Sequence, residues 1–515
     1  MDGTAETIPP DHHNSSDGLS SEDDTRSFFQ PSQSSRTVSS SSHADPCTNH
    51  VVALSSIEHC MPKAYIRICF AYRTNSVEQC DTAIEKLRCF IRRIVDAKPH
   101  LSGYTVQCSP LNQAYGRCEV HFNTAGYIND TQLEVRELRN PDGSLVKYEE
   151  LDHAGLPPSR LKPEEVALLP TDVDDRPRAP LFHMQANVLD GGLIISIYLH
   201  HCVSDGKGFE LLVTGEILRG ELTFQRHLAI DTTSPAGLDE RLKLFAQQKT
   251  ASRRKLSSPS LHAFDTRKIQ VRNVRERDKP RNRPGRGCIV MINRARIRAL
   301  HAASIASCPQ ADLTRQNVLM AFLWQHMTRA RRPSIAQHSN VISSKLLVPV
   351  DIRNRMDEHI PDSYFGAAVD FAKAELPLDV LVKEQLCTIA VEVRRAVDEV
   401  NDSYVRQAIA VANLAGVHTD VADLQAANMD RVNGADMYIT SWLKLKMYQA
   451  DFGMGLGAPD WVRKPWSRDP GSCIVLPQKG TDAEYYEVVV QMTENDMSRL
   501  LDDQEFMAMV MRIID

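Results

Sequence analysis

Along most of the chain, apolar runs typical of buried strands alternate with segments in which apolar residues recur every three or four positions, as in helices. Residues 64–72 and 193–199 are mostly apolar runs, rich in β-branched and aromatic side chains, which predicts buried strands. Residues 77–95 carry apolar side chains three and four positions apart, which predicts an amphipathic helix with one buried face. Because strands and helices also alternate in the second half, the pattern predicts an α/β fold with two domains.

Shorter apolar segments predict the remaining elements. Further strands are predicted at 118–122, 182–189, 288–292, 346–350, 437–442 and 487–492, and further helices at 208–218, 316–329, 378–399 and 403–414. Asp190-Gly191-Gly192 separates two strands and is typical of a hairpin turn.

Two segments lack a periodic pattern and divide the chain. Residues 1–47 are rich in serine and predict a disordered tail, and 233–286 form a basic linker. The predicted domains are therefore 48–232 and 287–515. The basic linker could also attract an anionic cofactor or serve as a localisation signal.

Composition narrows the function classes. Hydrophobic residues make up 42% and charged residues 24% of the 515 positions, as in globular proteins, and the net charge of −6 gives no argument for nucleic-acid binding. The 12 cysteines form no Cys-x-x-Cys pair, which disfavours zinc ribbons. No apolar stretch could span a bilayer and the first residues do not resemble a secretion signal, so we expect a cytoplasmic protein without membrane or nucleic-acid partners.

The first chemistry-bearing segment is His200-His201-Cys202-Val203-Ser204-Asp205-Gly206, directly after an apolar strand. A histidine there lies on a rigid element with a flexible loop after it, and it can accept and return a proton near neutral pH. Three other interpretations stay open: ordinary strand-end histidines, a metal site using His201 and Asp205 but lacking a third ligand, and a Cys202 nucleophile. The last is disfavoured because adjacent residues of an extended chain point to opposite faces.

Two further segments are singled out. Asp451-Phe452-Gly453-Met454-Gly455 resembles the protein-kinase metal-binding motif, but the other kinase motifs are missing, so a glycine-dependent turn with a buried Phe is favoured. Asp351-Ile352-Arg353-Asn354-Arg355 follows a predicted strand and offers a guanidinium that could hold a carboxylate by two hydrogen bonds.

In this order, His-His-x-x-x-Asp-Gly, Asp-x-Arg-x-Arg, Tyr364-Phe365-Gly366 and Asp-Phe-Gly-x-Gly resemble the BAHD acyltransferases. The resemblance covers roughly residues 51–495 and is strongest to the fungal branch that includes trichothecene 3-O-acetyltransferase. Met454 stands where the family usually has Trp, and Ala367 where it usually has Asn.

The resemblance implies a fold of two chloramphenicol-acetyltransferase-like domains, each a mixed β-sheet flanked by helices, with the active site in a channel at their interface. It implies that His201 is the general base and that Asp205 is structural, paired with Arg353 or else with Arg355. Thr440 and Trp442 match positions near the reacting centre. The remaining matched positions are structural and are Gly206, Asp451, Phe452, Gly453 and Gly455.

The implied function is an acyl-CoA-dependent O-acyltransferase, most simply an O-acetyltransferase, acting on a hydroxylated secondary metabolite. Acetyl-CoA is then a co-substrate, no metal or bound cofactor is needed, and a monomer is expected. The alternative is a condensation-type enzyme that uses a carrier-protein-bound acyl donor or an amine acceptor, because condensation domains share His-His-x-x-x-Asp-Gly. A non-catalytic binding protein on the same scaffold is disfavoured because His201 is present.

Overall fold

The computed structural model describes residues 49–107, 118–123, 132–169, 178–218, 285–336, 341–357, 359–406, 408, 434–467, 470–480 and 483–515. The predicted tail at 1–47, the linker up to residue 284 and the part of the predicted helix 403–414 beyond residue 408 lie outside the described residues.

The described strands and helices alternate along the chain, and both are numbered in chain order. The strands are β1 (Asn49–Ala53), β2 (Tyr65–Arg73), β3 (Tyr104–Gln107), β4 (Cys118–Asn123), β5 (Leu133–Glu137), β6 (Arg178–Pro180), β7 (Phe182–Leu189), β8 (Gly192–His200), β9 (Gly285–Asn293), β10 (Ser343–Asp351), β11 (Val369–Pro377), β12 (Met437–Ser441), β13 (Trp461–Arg463), β14 (Ser472–Val475), β15 (Tyr485–Thr493) and β16 (Val510–Ile514). The helices are α1 (Ser56–Cys60), α2 (Val77–Ala97), α3 (Tyr148–Ala154), α4 (Pro163–Val166), α5 (Gly206–Val213), α6 (Arg294–Ser307), α7 (Arg315–Ile335), α8 (Leu378–Lys383), α9 (Leu386–Glu399), α10 (Glu494–Asp502) and α11 (Gln504–Met507).

The first half builds a five-stranded mixed sheet in the order β13-β2-β8-β7-β5. β2, β8 and β7 are antiparallel neighbours, and β5 adds parallel to β7. The hairpin from β7 to β8 turns at Asp190-Gly191, where Gly191 has a φ of 75° that favours glycine. β13 comes from the second half, so this sheet joins segments far apart in the sequence.

The second half builds a seven-stranded mixed sheet in the order β11-β10-β12-β14-β15-β9-β16. β10, β12 and β14 run parallel, while the other neighbours are antiparallel. A small antiparallel sheet, β1-β4-β3-β6, completes the described strands. The fold is therefore α/β, as the sequence pattern predicts, with mixed sheets, as the resemblance implies.

Helices cover these sheets with their apolar faces. Ser76 caps α2 by accepting a hydrogen bond from the N–H of Gln79, and the face of α2 that includes Leu87 and Phe90 is buried in the core of the first sheet. α7 begins at a capping box formed by Thr314 and Asn317, and its buried apolar residues from Val318 to Ala330 belong to the core of the second sheet. No helix in the described ranges is both long and apolar enough to cross a membrane.

The longest apolar patterns are confirmed: the strand predicted at 64–72 is β2, and the helix predicted at 77–95 is α2. Several boundaries differ from the sequence prediction. The helix predicted at 208–218 begins earlier, at Gly206, because Asp205 caps it, and ends at Val213 shortly before Gly215, whose φ is 70°.

Two other predicted segments are corrected. The helix predicted at 378–399 is two helices, α8 and α9, because the chain is extended at Glu384 and Gln385. The side-chain amide of Gln325 donates to the carbonyls of Leu381 and Glu384 at this break. In addition, the last two residues of the predicted linker are not linker, since β9 begins at Gly285 and pairs there with β15.

Candidate active site

His201 lies at the end of two buried strands that hold its backbone. β8 ends at His200, and the N–H of His201 donates to the carbonyl oxygen of Ala64 at 2.9 Å, which extends the pairing of β8 with β2 by one residue. The N–H of Val203 then donates to the carbonyl oxygen of His200 and closes a turn. The imidazole is therefore presented by a rigid sheet at the start of a loop.

The imidazole of His201 is partly exposed, and its two nitrogens have different surroundings. Nδ1 is enclosed and has no hydrogen-bond partner among the described residues, whereas Nε2 remains accessible. Loss of hydration lowers the pKa of His201, an effect that the negative charge of Asp205 and the backbone carbonyls of Ser204 and His201 oppose only in part. The His201 imidazole is therefore neutral near pH 7, with one nitrogen accessible.

Asp205 is fully buried and makes a two-pronged ion pair with Arg353. Nη1 of Arg353 donates to Oδ2 at 2.8 Å, and Nη2 donates to Oδ1 at 3.1 Å. The N–H of Gly208 donates to Oδ1 and the N–H of Ala368 to Oδ2, so four donors surround the carboxylate. Asp205 therefore has no free lone pair to offer a substrate, and the geometry is that of a structural group.

Arg353 also forms hydrogen bonds within the loop that follows β10. Its Nη2 also donates to the carbonyls of Tyr364 and Gly366, and its Nη1 to the carboxylate of Asp351. Burial alone would lower the pKa of Arg353, but the two aspartates keep this pKa above its ordinary value. Arg355, the other candidate, instead donates to the carbonyls of Val397 and Val400.

The loop from His201 to α5 lies against the Tyr-Phe-Gly segment with little free space. The hydroxyl of Ser204 donates to the carbonyl oxygen of Phe365 at 2.6 Å. A Cβ on Gly208 would come within 2.3 Å of that oxygen and 2.0 Å of the Ser204 hydroxyl, so only glycine fits there. Gly206 is less crowded, with a side-chain carbon of Leu445 at 3.2 Å from an added Cβ.

Cys202 is buried in the core of the first sheet rather than presented to solvent. Burial raises the pKa of its thiol well above the ordinary range, and the nearby Cys118 and Glu58 act in the same direction. Within the described residues no hydrogen bond joins Cys202 to the His201 ring. The arrangement does not support a cysteine nucleophile activated by histidine.

The Asp-Phe-Gly-x-Gly motif contacts the C-terminal end of α5, the helix that follows the His201 loop. The N–H of Asp451 donates to the carbonyl oxygen of Val213, the last residue of α5, and its carboxylate accepts from the N–H of Gly453. Phe452 is buried, with its ring edge-on to those of Phe70 and Phe90. Gly453 and Gly455 have φ values of 66° and 80°, which favour glycine, and Met454 fills the core where the resembled family has Trp.

Thr440 and Trp442 lie at the end of β12. Thr440 is paired with Ile474 of β14, and the N–H of Trp442 donates to the carbonyl oxygen of Val475. In the parts of the chain that are described, neither side chain forms a hydrogen bond with His201 or Asp205. Their predicted place near the reacting centre stays a prediction.

Sequence reasoning missed the backbone partners of this site. Ala64 fixes the N–H of His201 and Ala368 donates to Asp205, and neither has a side chain that marks it. For Ala64, the available signal was that β2 and β8 are both apolar strands that could pair, which places Ala64 opposite His201. For Ala368, sequence carried no signal beyond its closeness to Gly366.

One group of residues has the composition of a metal site in the described chain: His326, Asp503 and Glu505. Nδ1 of His326 hydrogen-bonds Asp503, whose carboxylate also caps α11 by accepting from two backbone N–H groups. Glu505 pairs with Arg329. These internal bonds already occupy the oxygens, and the group is separate from the His201 loop.

Comparisons with known proteins place the chain among acyltransferase relatives. The family model described as "Transferase family" matches residues 149–507, and that of the trichothecene 3-O-acetyltransferase-like N-terminal domain matches 64–214. An eremophilane O-acetyltransferase of Penicillium rubens is 24% identical, covering 88% of this chain and 96% of its own, and an O-acetyltransferase of Cryptosporiopsis sp. is 25% identical, covering 86% and 93%.

The fold is shared with solved structures. The crystal structure of F. sporotrichioides TRI101 complexed with coenzyme A and T-2 has a TM-score of 0.66 and 19% identity, covering 90% of this chain and 100% of that one. Because the family model matches more than half of the residues, the chain belongs to the Transferase family.

Proposed function

We propose that this member of the Transferase family is an acyl-CoA-dependent O-acyltransferase, with acetyl as the transferred group and a hydroxylated secondary metabolite as the acceptor. The observation that carries the proposal is His201, a neutral base with Nε2 accessible at the end of β8, beside an Asp205 that is fully occupied by Arg353. The curated relatives named as fungal O-acetyltransferases, and the TRI101 complex with coenzyme A, support the acyl donor and the acceptor class.

The proposed reaction needs one base and no covalent enzyme intermediate. Nε2 of His201 takes the proton of the acceptor hydroxyl as its oxygen attacks the thioester carbonyl, forming a tetrahedral intermediate. The carbon–sulfur bond then breaks, and the proton passes from His201 to the departing thiolate of CoA. The products are the ester and free CoA, and the imidazole returns to its neutral form.

The other site residues hold the His201 loop and α5 in place and take no part in proton transfer. Asp205, Gly206 and Arg353 fix the loop after His201, and Asp451, Phe452, Gly453 and Gly455 fix the far end of α5. We propose that the Thr440 hydroxyl helps to hold the oxyanion and that Trp442 lines the same region. The reaction then takes place in a channel between an N-terminal domain over 48–232 and a C-terminal domain that begins with β9 at residue 285 and runs to 515, connected by the basic segment 233–284 and preceded by the tail 1–47.

We also propose that the enzyme works as a cytoplasmic monomer with only small-molecule partners. The free thiols of the described cysteines support a reducing compartment. Size-exclusion chromatography with light scattering measures the mass in solution, and a dimer at micromolar concentration would contradict the monomer.

The test is release of free thiol from acetyl-CoA in the presence of hydroxylated terpenoids, polyketides and alkaloids. We expect release that depends on one class of acceptor. Longer acyl-CoA donors, carrier-bound donors and amine acceptors form the other arms, the last because agmatine coumaroyltransferase-1 of Hordeum vulgare is also similar, at 26% identity. Turnover with only a carrier-bound donor, or with only amines, would replace the proposal by the condensation-type or N-acyl alternative.

A further inference from the structure

Arg67 is a buried arginine of β2 whose charge has no ion-pair partner among the described residues. Its side chain is only 5% exposed, and its one hydrogen bond runs from Nη1 to the carbonyl oxygen of Leu169 at 3.2 Å. The titratable groups beside it are the hydroxyl of Tyr198 and the thiol of Cys69. Burial raises the pKa of both groups, so neither is charged near pH 7 and neither can balance the guanidinium.

Two other buried arginines of the chain show what a balanced charge looks like in this fold. Arg353 is paired with the carboxylate of Asp205, and Arg463 is paired with the carboxylate of Glu487. A buried charge without such a partner destabilises a folded chain. We therefore expect Arg67 to be balanced by an anion that the described residues do not supply.

Part of the Arg67 guanidinium is open to a ligand. Nε and Nη2 have no hydrogen-bond partner in the described chain, and both keep contact with solvent. A guanidinium presents its N–H groups as a rigid planar fork, which matches the two oxygens of a carboxylate. The edge formed by Nε and Nη2 can therefore bind a carboxylate through two parallel hydrogen bonds.

A buried polar network on the same face of the sheet holds Arg67 in place. Arg67 lies opposite Tyr198 of β8, whose hydroxyl donates to Oε1 of Gln185 at 3.4 Å. The N–H of Leu168 donates to the same oxygen at 3.2 Å, next to the Leu169 carbonyl that accepts from Arg67. Because these bonds fix both the strand and the segment over it, the guanidinium loses little freedom when it binds a ligand.

Arg67 lies near the end of the sheet that carries His201. The carbonyl oxygen of Ala64, which accepts the N–H of His201, is three residues before Arg67. Because a strand rises about 3.3 Å per residue, the backbone of Arg67 is roughly 10 Å along the strand from that contact. This separation is within the length of a hydroxylated metabolite that carries a carboxyl group, and it also leaves room for a separate carboxylate ion beside the active site.

We propose that Arg67 is a carboxylate-binding residue, with Nε and Nη2 as the two donors. The carboxylate belongs either to the acceptor or to an independent small ion, and the recognition chemistry is the same for both. The binding site itself does not depend on the acyltransferase activity. Only the assignment of the carboxylate to the acceptor rests on the proposed function.

The first experiment measures the binding of acetate to the full chain. Tm is compared in sodium acetate and sodium chloride at equal ionic strength near neutral pH, and a titration of acetate gives its Kd. We expect acetate to raise the Tm of the wild-type protein by about 2 °C or more at saturation. Arg136→Gln, which removes an exposed arginine paired with Glu134, is the matched control and should keep this shift.

Two variants of Arg67 assign the acetate effect to its guanidinium. Arg67→Met should abolish the shift. Arg67→Lys keeps the charge, and with it the fold, but lacks the planar fork, so we expect its Kd for acetate to rise at least about tenfold. A wild-type Tm that responds to acetate no more than to chloride would overturn the proposal, and so would an Arg67→Lys protein that binds acetate as tightly as the wild type.

The second experiment distinguishes the two sources of the carboxylate. Thiol release from acetyl-CoA is measured with hydroxy acids and with their methyl esters as acceptors. A preference for the acid of at least about tenfold in kcat/KM, carried by KM and lost in Arg67→Lys, assigns the carboxylate to the acceptor. Equal rates for acid and ester, together with saturable acetate binding, assign it to an independent ion. Absence of thiol release with every acceptor would contradict the proposed acyltransferase, and the acetate titration would still decide the Arg67 site.

Discussion

At the scale of single residues, the surroundings of two neighbouring histidines assign them different tasks. His200 is buried, its Nδ1 accepts a hydrogen bond from the N–H of Cys202, and burial lowers its pKa to about 3, with His201 and Lys63 acting in the same direction. It is therefore neutral near pH 7 and acts as a hydrogen-bond acceptor. His201 keeps one nitrogen accessible, which the proposed proton exchange with a substrate requires.

The lowered pKa of His201 sets the pH dependence of turnover. A base is lost when it is protonated, so kcat/KM should fall as the pH drops through the folded pKa of His201. Because burial holds that pKa below its ordinary value of 6.5, we expect the acid midpoint of kcat/KM to lie below pH 6.5. Initial rates across a buffer series measure it. A midpoint at or above 6.5 would contradict this environment of His201.

Cys202 gives a second prediction at this scale. Cys202→Ala should leave turnover unchanged and lower the free energy of unfolding by about 1 kcal/mol, because it removes a small buried side chain. Steady-state rates and chemical denaturation check both parts. An acyl group trapped on Cys202 in the wild-type protein, seen by mass spectrometry, would mean that a covalent route competes.

At the scale of elements, β8, the loop that follows it and α5 together hold the His201 side chain in position. Asp205 caps α5 through the N–H of Gly208, and the same glycine allows the Tyr-Phe-Gly segment to approach. The start of α5 is therefore fixed by tertiary contacts. Helical periodicity, which predicts a start at residue 208, does not contain this information.

Gly208→Ala tests that close approach. The added methyl group would overlap the Ser204 hydroxyl and the Phe365 carbonyl, so we expect a loss of about 2 kcal/mol in the free energy of unfolding. Gly206→Ala on the same helix is the matched control and should cost less, because its nearest neighbour is a flexible Leu445 side chain. Urea denaturation compares them, and equal stabilities would show that the loop relaxes freely.

The elements that sequence predicts well are those whose pattern is long. β2, α2 and α7 have many apolar positions at one period, so their interiors are unambiguous. Sequence analysis missed α6, which buries only Ile297 and Ser304, and β11, an edge strand whose side chains are mostly partly exposed. Neither element has a strong apolar pattern, because each buries few of its side chains.

At the scale of the whole molecule, a few long-range contacts join distant segments around His201. Arg353 reaches Asp205 across 148 positions of sequence, β13 adds to the sheet of the first half, and Phe452 enters its core. Of the two partners that the resemblance implies for Asp205, Arg353 before Arg355, the structure shows Arg353. β13 was not predicted because a three-residue strand has too few positions to show a period.

The buried ion pair gives the prediction at this scale. Asp205→Asn leaves the Arg353 charge buried without its main partner, so we expect the free energy of unfolding to fall by about 3–5 kcal/mol. Glu134→Gln, which removes an exposed partner of Arg136, is the control and should change it by less than about 1 kcal/mol. A fully stable Asp205→Asn protein without activity would instead assign Asp205 a direct part in the reaction.

The central claim is that His201 transfers the proton in acyl transfer from CoA. The most direct measurement compares acceptor-dependent thiol release from acetyl-CoA by wild-type, His201→Ala and His200→Asn proteins of verified fold. We expect His201→Ala to lose at least ~10²-fold in kcat/KM, as for removal of a general base, and His200→Asn to stay within about tenfold of wild type. A His201→Ala protein that turns over at the wild-type rate would contradict the mechanism.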